Sequence, residues 1–385
     1  MKYIKKIAII GANEFQCRLI DAANNRGFET HVFAWESGDV GEKSAKYFYP
    51  ISITEKEQVL AKCREIGIDA IVSIASDLAM ITVNFVANEL GLISNSHHCT
   101  EVTTNKYSMR TTLENSGLPN PFFELVHNVN DFDLDTNNYP LIVKPIDRSG
   151  SRGISLVKNN SSLQTAIAKS KECSFVDAVL IESFVGGKEY SIETISVNGH
   201  HQVLQVTEKF TTGEPSFIET GHLCPARITT NQRDSIECIV KKALVALDIQ
   251  YGASHSEVKI KPDGEVVIIE IGARMGGDFI GSDLVINSTG CDFVNAVLNV
   301  ALDIDSSSFL VQNNSKTNAL IVYFFSEEEL NRFESIELNT HIKVLEVSKN
   351  TNYTGLISSS AERYGYALLT VASVRLDSLI EELKL

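Results

Sequence analysis

The sequence lacks the features of several protein classes. It contains no stretch of about 18 uncharged apolar residues, which a membrane-spanning helix would need. Residues 1–6 lead directly into a strand-like run, without the layout of a secretory signal peptide. These absences predict a cytoplasmic protein that does not associate with membranes.

Paired cysteines are also missing. The seven cysteines are scattered along the chain, form no C-x-x-C pair and are odd in number. A zinc site or a disulfide framework would need regular spacing or an even count. The sequence therefore indicates neither.

Basic residues are scarce. Lysine and arginine number 34 against 49 aspartate and glutamate residues, so the formal net charge is -15 at pH 7. This charge repels phosphate backbones and anionic lipid surfaces, which excludes general binding to nucleic acids or membranes. Any anionic substrate would need a locally basic pocket.

The first part of the chain alternates strand-like and helical patterns. At 385 residues and 43% hydrophobic content, the chain is long enough for two or three domains. Strands are predicted at 7–10, 31–33 and 70–74, and helices at 14–26, 55–66 and 78–90. This alternation predicts a doubly wound parallel sheet.

Such a sheet suggests a dinucleotide site, but the first strand-to-helix turn does not support one. The turn contains Gly11 and then lacks the second and third glycines of the dinucleotide fingerprint. A dinucleotide-dependent oxidoreductase is therefore the weaker hypothesis.

Beyond residue 95 the pattern changes to strands joined by polar turns. The dipeptide Asn198-Gly199 between two alternating runs predicts a tight hairpin. Strands are predicted at 141–144, 154–157, 179–182, 190–197, 202–207, 256–260 and 265–271, and helices at 106–116 and 232–247. We expect an N-terminal α/β domain at 1–95, a central domain at 96–305 with a lid at about 120–190, and a C-terminal α+β lobe at 306–385.

A glycine-rich loop at 147–153 lies between two predicted strands, the first of which ends in Lys144-Pro145. Its backbone N–H groups could close over phosphates while Lys144 supplies positive charge. This layout predicts a phosphate lid and differs from a P-loop. The alternative is a mobile surface hairpin without a ligand.

Two glutamates on the hairpin turned at 261–264 form a candidate metal site. A regular register places Glu257 opposite Ile268, with Glu270 a diagonal neighbour on the same face. Two apposed carboxylates repel each other unless a cation lies between them, and Mg²⁺ prefers oxygen ligands. A solvated acidic face is the alternative, which the apolar run at 266–269 disfavours.

Arg274 follows this hairpin and is a candidate anion clamp, because a guanidinium binds carboxylates or phosphates with two N–H groups. In the structural alternative, Arg274 only pairs with Asp278 at a turn. Gly276 and Gly277 allow the backbone to approach a substrate closely.

The order of these elements over residues 1 to about 305 resembles the ATP-grasp superfamily, and within it the carboxylate-amine ligases that include L-amino-acid ligases. The resemblance rests on NKYSMR at 105–110, SGLP at 116–119 and LIESFVGGKEYS at 180–191. It implies an α/β, ATP-grasp fold: an N-terminal doubly wound parallel-sheet domain, central α+β lobes and a small C-terminal β-rich lobe.

The resemblance implies ATP and Mg²⁺ (or Mn²⁺) as cofactors. Glu257 and Glu270 match the metal ligands, and Glu189 the group that binds the ribose. The resemblance and the glycine-rich loop together predict ATP contacts at Lys106, Lys144, Arg148, Ser149, Gly150, Ser151, Gly153, Glu182, Ser183, Phe184, Val185 and Glu189.

Two stretches near these residues also resemble amino-acid ligases, ETGH at 219–222 and SHSE at 254–257. His222, His255, Gly276 and Gly277 are therefore candidate neighbours of the substrate, although His255 could equally be a buried structural histidine. Gly272 departs from the family, which usually has a metal-binding asparagine at this position.

The resemblance implies an ATP-dependent ligase that forms an amide or peptide bond through an acyl phosphate, with Lys144 and Arg274 as catalytic residues. The expected partners are a small carboxylate and an amine, amino acids among them; a homodimer is one assembly that the sequence leaves open. Two alternatives remain, an ATP-grasp carboxylase of nucleotide biosynthesis and a non-catalytic ATP-binding regulator, the latter suggested by Gly272.

Overall fold

The computed structural model describes residues 3–132, 139–148, 150, 152–214, 216–310, 317–336, 340–350, 353–355, 357 and 359–385. Three sheets form within these ranges. Their strands are β1 Lys6–Ile10, β2 Glu29–Phe33, β3 Tyr47–Tyr49, β4 Ala70–Val72, β5 Phe123–Val126, β6 Leu141–Pro145, β7 Ser155–Val157, β8 Val179–Ser183, β9 Lys188–Val197, β10 His200–Thr211, β11 Glu219–Cys224, β12 Gly252–Ile260, β13 Val266–Gly272, β14 Thr317–Phe324, β15 Ile342–Lys349 and β16 Gly365–Ala372.

Helices cover these sheets and connect their strands. They are α1 Glu14–Asn25, α2 Val40–Ser44, α3 Lys56–Ile66, α4 Asp77–Leu90, α5 His97–Thr104, α6 Lys106–Asn115, α7 Leu163–Cys173, α8 Thr230–Ala246, α9 Val285–Thr289, α10 Phe293–Ala301, α11 Glu327–Glu334 and α12 Ser373–Leu383. Within the described ranges, no single helix is long and apolar enough to cross a membrane; the bent pair Ile280–Thr289 and Phe293–Ala301 passes that test by length and composition only.

The N-terminal sheet is parallel, in the order β3-β2-β1-β4, as the alternating pattern predicts. Its central strand is almost wholly apolar and buried, because helices cover both faces. The Asn13 side chain caps α1 by accepting a hydrogen bond from the Gln16 amide, and Gly67, in the left-handed region at φ 70°, ends α3. The short elements α2 and β3 were not predicted.

The second sheet is antiparallel, in the order β5-β8-β6-β7, and packs against α7. The glycine-rich loop connects β6 to β7, so it lies in the predicted position between two paired strands. Gly150 and Gly153 both have left-handed backbone, at φ 70° and 72°, which favours glycine at these two positions.

The third sheet contains eight antiparallel strands in the order β13-β12-β9-β10-β11-β14-β16-β15. The predicted hairpin at Asn198-Gly199 is confirmed, and both residues have the positive φ that a tight two-residue turn requires, 50° and 73°. Because β11 pairs with β14, the C-terminal strands continue the central sheet instead of forming a sheet of their own. The domain boundaries at 95 and 305 stay predictions.

The predicted register of the β12–β13 hairpin is wrong. Glu257 lies directly opposite Glu270, while Val258 pairs with Ile268, so Ile269 has no partner on β12. Two irregularities shift the pairing: the turn closes with a Lys261 N–H to Glu265 carbonyl bond, and a β-bulge adds one residue to β13. The two glutamates are therefore directly opposite each other on the paired strands, where the regular register predicts diagonal neighbours.

Helix α10 joins the N-terminal and central sheets, packing against α1, β4 and β12. Its Leu298 is fully buried in a core that also contains Ile9 of β1 and Leu204 of β10. Apolar contacts in this core therefore couple the two sheets.

We expect Leu298→Ala to lower the free energy of unfolding by about 2–5 kcal/mol, because it leaves a cavity in this shared core. Urea unfolding should still show a single transition at a lower midpoint. The control Val374→Ala, at a side chain that is 80% exposed, should change stability by less than about 0.5 kcal/mol. An unchanged midpoint for Leu298→Ala, or two separate transitions, would contradict the coupling.

Candidate active site

A cleft lies between the second sheet and one face of the third. It is lined by most of the residues predicted to bind ATP, metal or substrate. These are Lys106, Lys144, Arg148, Gly150, Glu182, Ser183, Phe184, Val185, Glu189, His255, Glu257, Glu270 and Arg274.

Four predicted residues lie outside this lining. Gly153 packs between Pro145 and Cys173, and His222 is buried behind the cleft wall. Gly276 and Gly277 belong to the turn after β13, where a Cβ on Gly276 would come within 2.6 Å of His255 Nδ1. Ser149 and Ser151 lie outside the described residues.

Lys144 is buried and bound to a buried carboxylate. Its Nζ lies 2.7 Å from Glu182 Oε2, while Arg110 Nε donates to Glu182 Oε1 at 2.6 Å. Burial raises the pKa of Glu182, but the two cations outweigh it and lower that pKa to about 2. Burial lowers the pKa of Lys144, and Glu182 opposes this effect. Glu182 therefore holds Lys144 in place, and its role as an ATP contact stays a prediction.

Arg110 was missed by the sequence analysis. It is fully buried on α6 and also donates to the carbonyls of Ile268 and Ile269 beside the β-bulge, at 3.1 and 2.6 Å. Arg110 thereby ties the lysine-bearing sheet to the glutamate-bearing hairpin. An arginine in a helical pattern carries no signal of such a role, because its partners are more than 70 residues away.

The segment after β8 provides an apolar slot at one end of the cleft. The aromatic ring of Phe184 lies 5.9 Å from that of Phe217, and Ile142, Ile154 and Ile269 also line the cleft. The amides of Ser183 and Phe184 donate to the carbonyls of Phe122 and Pro140, which fixes the backbone of the segment. Apolar and aromatic side chains of this kind suit contact with a purine ring.

Lys209 on β10 is the most connected cation of the cleft. Its Nζ lies 2.6 Å from Glu189, 2.7 Å from Glu257 and 3.8 Å from Glu219. Burial lowers its pKa, but the three carboxylates outweigh this and raise it well above the usual range. The sequence analysis missed Lys209 because only strand pairing brings these glutamates to it.

Glu257 and Glu270 present their carboxylates to the cleft from adjacent strands. Glu257 Oε1 accepts from Lys209, and Glu270 Oε1 accepts from Lys106 at 2.7 Å. Burial raises the pKa of Glu257, but Lys209 and His255 hold it well below the usual range, so this carboxylate is charged.

This donor set fits Mg²⁺. Oxygen ligands from two carboxylates are what Mg²⁺ takes from proteins when phosphates and water complete its shell. No cluster of three or more metal-binding His, Cys, Asp or Glu side chains occurs among the described residues.

His255 lies between two carboxylates. Its Nδ1 is 2.5 Å from Glu193 Oε1, and its Nε2 is 3.5 Å from Glu257 Oε1. Burial lowers the pKa of His255, but Glu193 raises it by a larger amount, so that the pKa of His255 is about 9. Glu193 also accepts from the Gly276 amide at 3.0 Å. This dyad fixes the turn after β13 against the sheet and adds positive charge beside Glu257.

Arg274 does not pair with Asp278, so the predicted partner of the structural alternative is wrong. Its Nε and Nη2 donate to the two carboxylate oxygens of Asp77 at 2.9 and 3.0 Å. Asp77 begins α4, and Asp278 is bound instead by Arg363. The N-terminal domain therefore holds the candidate anion clamp in place through one carboxylate.

The glycine-rich loop docks on the segment between α7 and β8. Asp147 accepts from the Ser174 hydroxyl at 2.9 Å and from the Phe175 amide at 2.8 Å. The Arg148 guanidinium lies 3.5 Å from the Phe175 ring centroid, and Phe175 is exposed. Arg148 thus lies at the mouth of the cleft, where a phosphate could replace its contact with Phe175.

Residues 137–283 match the family model of the ATP-grasp domain. Alanine--anticapsin ligase of Bacillus subtilis (strain 168) is 25% identical over 245 residues, which cover 57% of this chain and 51% of that ligase. D-alanine--D-alanine ligase of Parabacteroides distasonis is 31% identical over 145 residues, covering 36% and 42%. The match thus extends over about half the length of these curated relatives.

Solved structures share the fold over the whole chain. L-amino acid ligase from Bacillus licheniformis superposes with a TM-score of 0.83 at 24% identity, covering 100% of this chain and 98% of that one. N5-carboxyaminoimidazole synthetase from Staphylococcus aureus, complexed with ADP, gives 0.77 at 15% identity, covering 100% and 97%. Residues 137–283 thus match an ATP-grasp domain, and the likeness to these solved structures shows that the whole chain has an ATP-grasp fold.

Proposed function

We propose that this protein is an ATP-dependent carboxylate-amine ligase that joins amino acids through an acyl phosphate. The observation that carries the proposal is the direct apposition of Glu257 and Glu270 across the hairpin, in a cleft that also contains Lys106, Lys144 and Lys209. Two oxygen ligands surrounded by lysines match the charge of a metal-bound triphosphate.

In this proposal the nucleotide lies with its base in the slot beside Phe184 and its phosphates toward the lysines. Phosphoryl transfer needs mainly positioning and electrostatic stabilisation. Lys144 supplies fixed charge because Glu182 and the surrounding packing restrict it to one position. Arg148 exchanges the Phe175 ring for a phosphate when the loop closes.

Glu257 and Glu270 would hold Mg²⁺ (or Mn²⁺), with phosphate oxygens and water in place of the asparagine that Gly272 replaces. When bound, the metal neutralises charge on the phosphates. Lys106 and Lys209 each pair with one of these carboxylates and are close enough to turn toward the phosphates instead.

Arg274 suits the acyl-transfer half of the reaction. A guanidinium has five N–H donors, and three of these serve the bonds to Asp77 and to the Met275 carbonyl. The remaining donors can bind a substrate carboxylate or the oxyanion that forms when the amine attacks the acyl phosphate. The Asp77 fork keeps the guanidinium oriented during this step.

Amino acids are the proposed substrates because the relatives named above are alanine--anticapsin, D-alanine--D-alanine and L-amino acid ligases. A cytoplasmic location and a homodimer stay predictions. The rival reaction, carboxylation of an amine, is the one to separate from ligation, since the N5-carboxyaminoimidazole synthetase shares the fold.

We expect phosphate release from ATP and Mg²⁺ to require a pair of amino acids, with a dipeptide detectable by mass spectrometry. The assay compares a matrix of amino-acid pairs with bicarbonate plus an amine, and with ATP alone. Release driven by bicarbonate would favour the carboxylase. ATP binding without turnover under any condition would favour the regulator.

We expect Glu270→Gln to reduce turnover by roughly 10²-fold or more, because it removes a metal ligand without changing shape. Stability of the free protein should change by less than about 1 kcal/mol, since glutamine can still accept from Lys106 and the repulsion from Glu257 is relieved. The thermal shift induced by Mg²⁺ and ATP should shrink. Glu265→Gln is the matched control, on the same hairpin but paired with Lys261 at the surface. Undiminished Mg²⁺-dependent turnover in Glu270→Gln would rule out this metal site.

We expect Lys144→Met to lower turnover by about 10²- to 10³-fold, because fixed charge on the transferring phosphate is lost. Folding should be preserved, since methionine keeps the apolar stem and Arg110 still pairs with Glu182. Lys188→Met, at a side chain that is 74% exposed, serves as the control. Steady-state rates and melting temperatures of both variants test this, and an equal loss of stability and activity would argue for a structural lysine.

A further inference from the structure

The turn that follows the β12–β13 hairpin has an unfavourable backbone conformation. Asp278 and Phe279 are consecutive non-glycine residues in the left-handed region, at φ 52° and 59°. A bulky residue such as phenylalanine rarely adopts this conformation, so surrounding contacts must hold it. Only three residues separate this turn from Arg274, so its shape affects where the candidate anion clamp lies.

The contacts that hold Asp278 come from the C-terminal half of the central sheet. Arg363 Nη2 and Nη1 donate to the two carboxylate oxygens of Asp278 at 2.8 and 3.0 Å, and His222 Nε2 lies 3.3 Å from Asp278 Oδ2. The Tyr323 hydroxyl donates to the Asp278 carbonyl at 3.1 Å. Burial raises the pKa of Asp278, but Arg363 and His222 outweigh it and keep this carboxylate charged.

Phe279 is held from both sides. Its ring packs against Phe15 of α1 at 5.0 Å and Tyr366 of β16 at 4.9 Å, measured between ring centroids. The turn is therefore wedged between the N-terminal domain and the C-terminal strands. Its conformation depends on the lobe for which the sequence suggested no chemistry.

The same C-terminal segment also holds the wall of the cleft. Arg363 Nη1 donates to the Glu219 carbonyl at 3.3 Å, and the Ser360 hydroxyl donates to Glu219 Oε2 at 2.5 Å. Glu219 lines the cleft and faces Lys209. Arg363 is 7% exposed and its guanidinium lies 3.4 Å from the Tyr323 ring centroid. One buried arginine thus connects the strained turn to a second part of the cleft.

We propose that Arg363 is a positioning residue for the substrate end of the cleft. It acts through Asp278, which sets the turn beside Arg274, and through the backbone of Glu219. This inference rests on the proposed ligase function. Glu182 holds Lys144, and Lys209 lies closer to Glu189 and Glu257 than to Glu219. Arg363 should therefore govern the binding of the amino-acid substrates and leave nucleotide binding nearly unchanged.

We expect Arg363→Met to raise the KM for an amino-acid substrate by about 10- to 100-fold, with a smaller change in kcat, because misplacing substrate contacts weakens productive binding. The thermal shift with Mg²⁺ and ATP should match that of the wild type. Arg227→Met is the matched control: Arg227 makes a similar fork on Glu208, at 2.9 and 2.9 Å, at a site away from the turn. Its KM should stay unchanged.

A second variant tests whether Arg363 acts through Asp278. Asp278→Asn keeps the shape of the side chain and should raise the same KM. This variant tests the inference even if Arg363→Met proves too unstable to purify. In the double variant the loss should be no greater than in the more affected single variant. Arg363→Lys keeps the charge without the fork and should recover part of the loss. Fully additive losses would contradict the coupling.

Hydrogen exchange gives a readout that does not depend on turnover. The amides of residues 276–279 should exchange faster in Arg363→Met than in the wild type or in Arg227→Met. Amino-acid-dependent turnover with an unchanged KM in Arg363→Met would overturn this inference alone. A collapse of the nucleotide-induced shift would make the arginine merely structural. Absence of such turnover in the wild type would overturn the proposed function and this inference with it.

Discussion

Buried cationic side chains determine how the residues of the cleft are arranged. Lys144, Lys209 and Arg110 are almost fully buried, and a buried cation without a partner would cost several kcal/mol. Glu182 and Glu257 supply the compensating charge on the free protein. The cations are therefore already fixed in place in the free protein.

The continuity of the central sheet has a comparable effect at the other end of the cleft. Pairing of β11 with β14 brings the C-terminal strands into the sheet that carries the β12–β13 hairpin. A short turn can then be held from three directions, by α1, by β14 and by the segment that contains Arg363. A separate C-terminal lobe on a flexible connection could not maintain two consecutive left-handed residues in this way.

Local patterns were sufficient for most of the regular elements. The apolar run of β1, the helical pattern of α3 and the Asn198-Gly199 turn each act through residues a few positions apart, and all three predictions are confirmed. Among the elements that were missed, α2 and β3 have five and three residues, which are too few to display a period. The predicted register of the hairpin was wrong because a β-bulge depends on packing as well as on the turn sequence.

The sequence by itself determined which residue types were available and the order of the elements that carry them, which indicated an ATP-grasp fold with Glu257 and Glu270 as a pair. Tertiary structure alone decided the partners: Arg274 with Asp77 across 197 positions, Lys209 with three glutamates from three strands, and Arg363 with Asp278. The physical reason is that an ion pair depends on distance in space and on exclusion of water. Strand pairing and burial set both, and neither can be read from the spacing of residues along the chain.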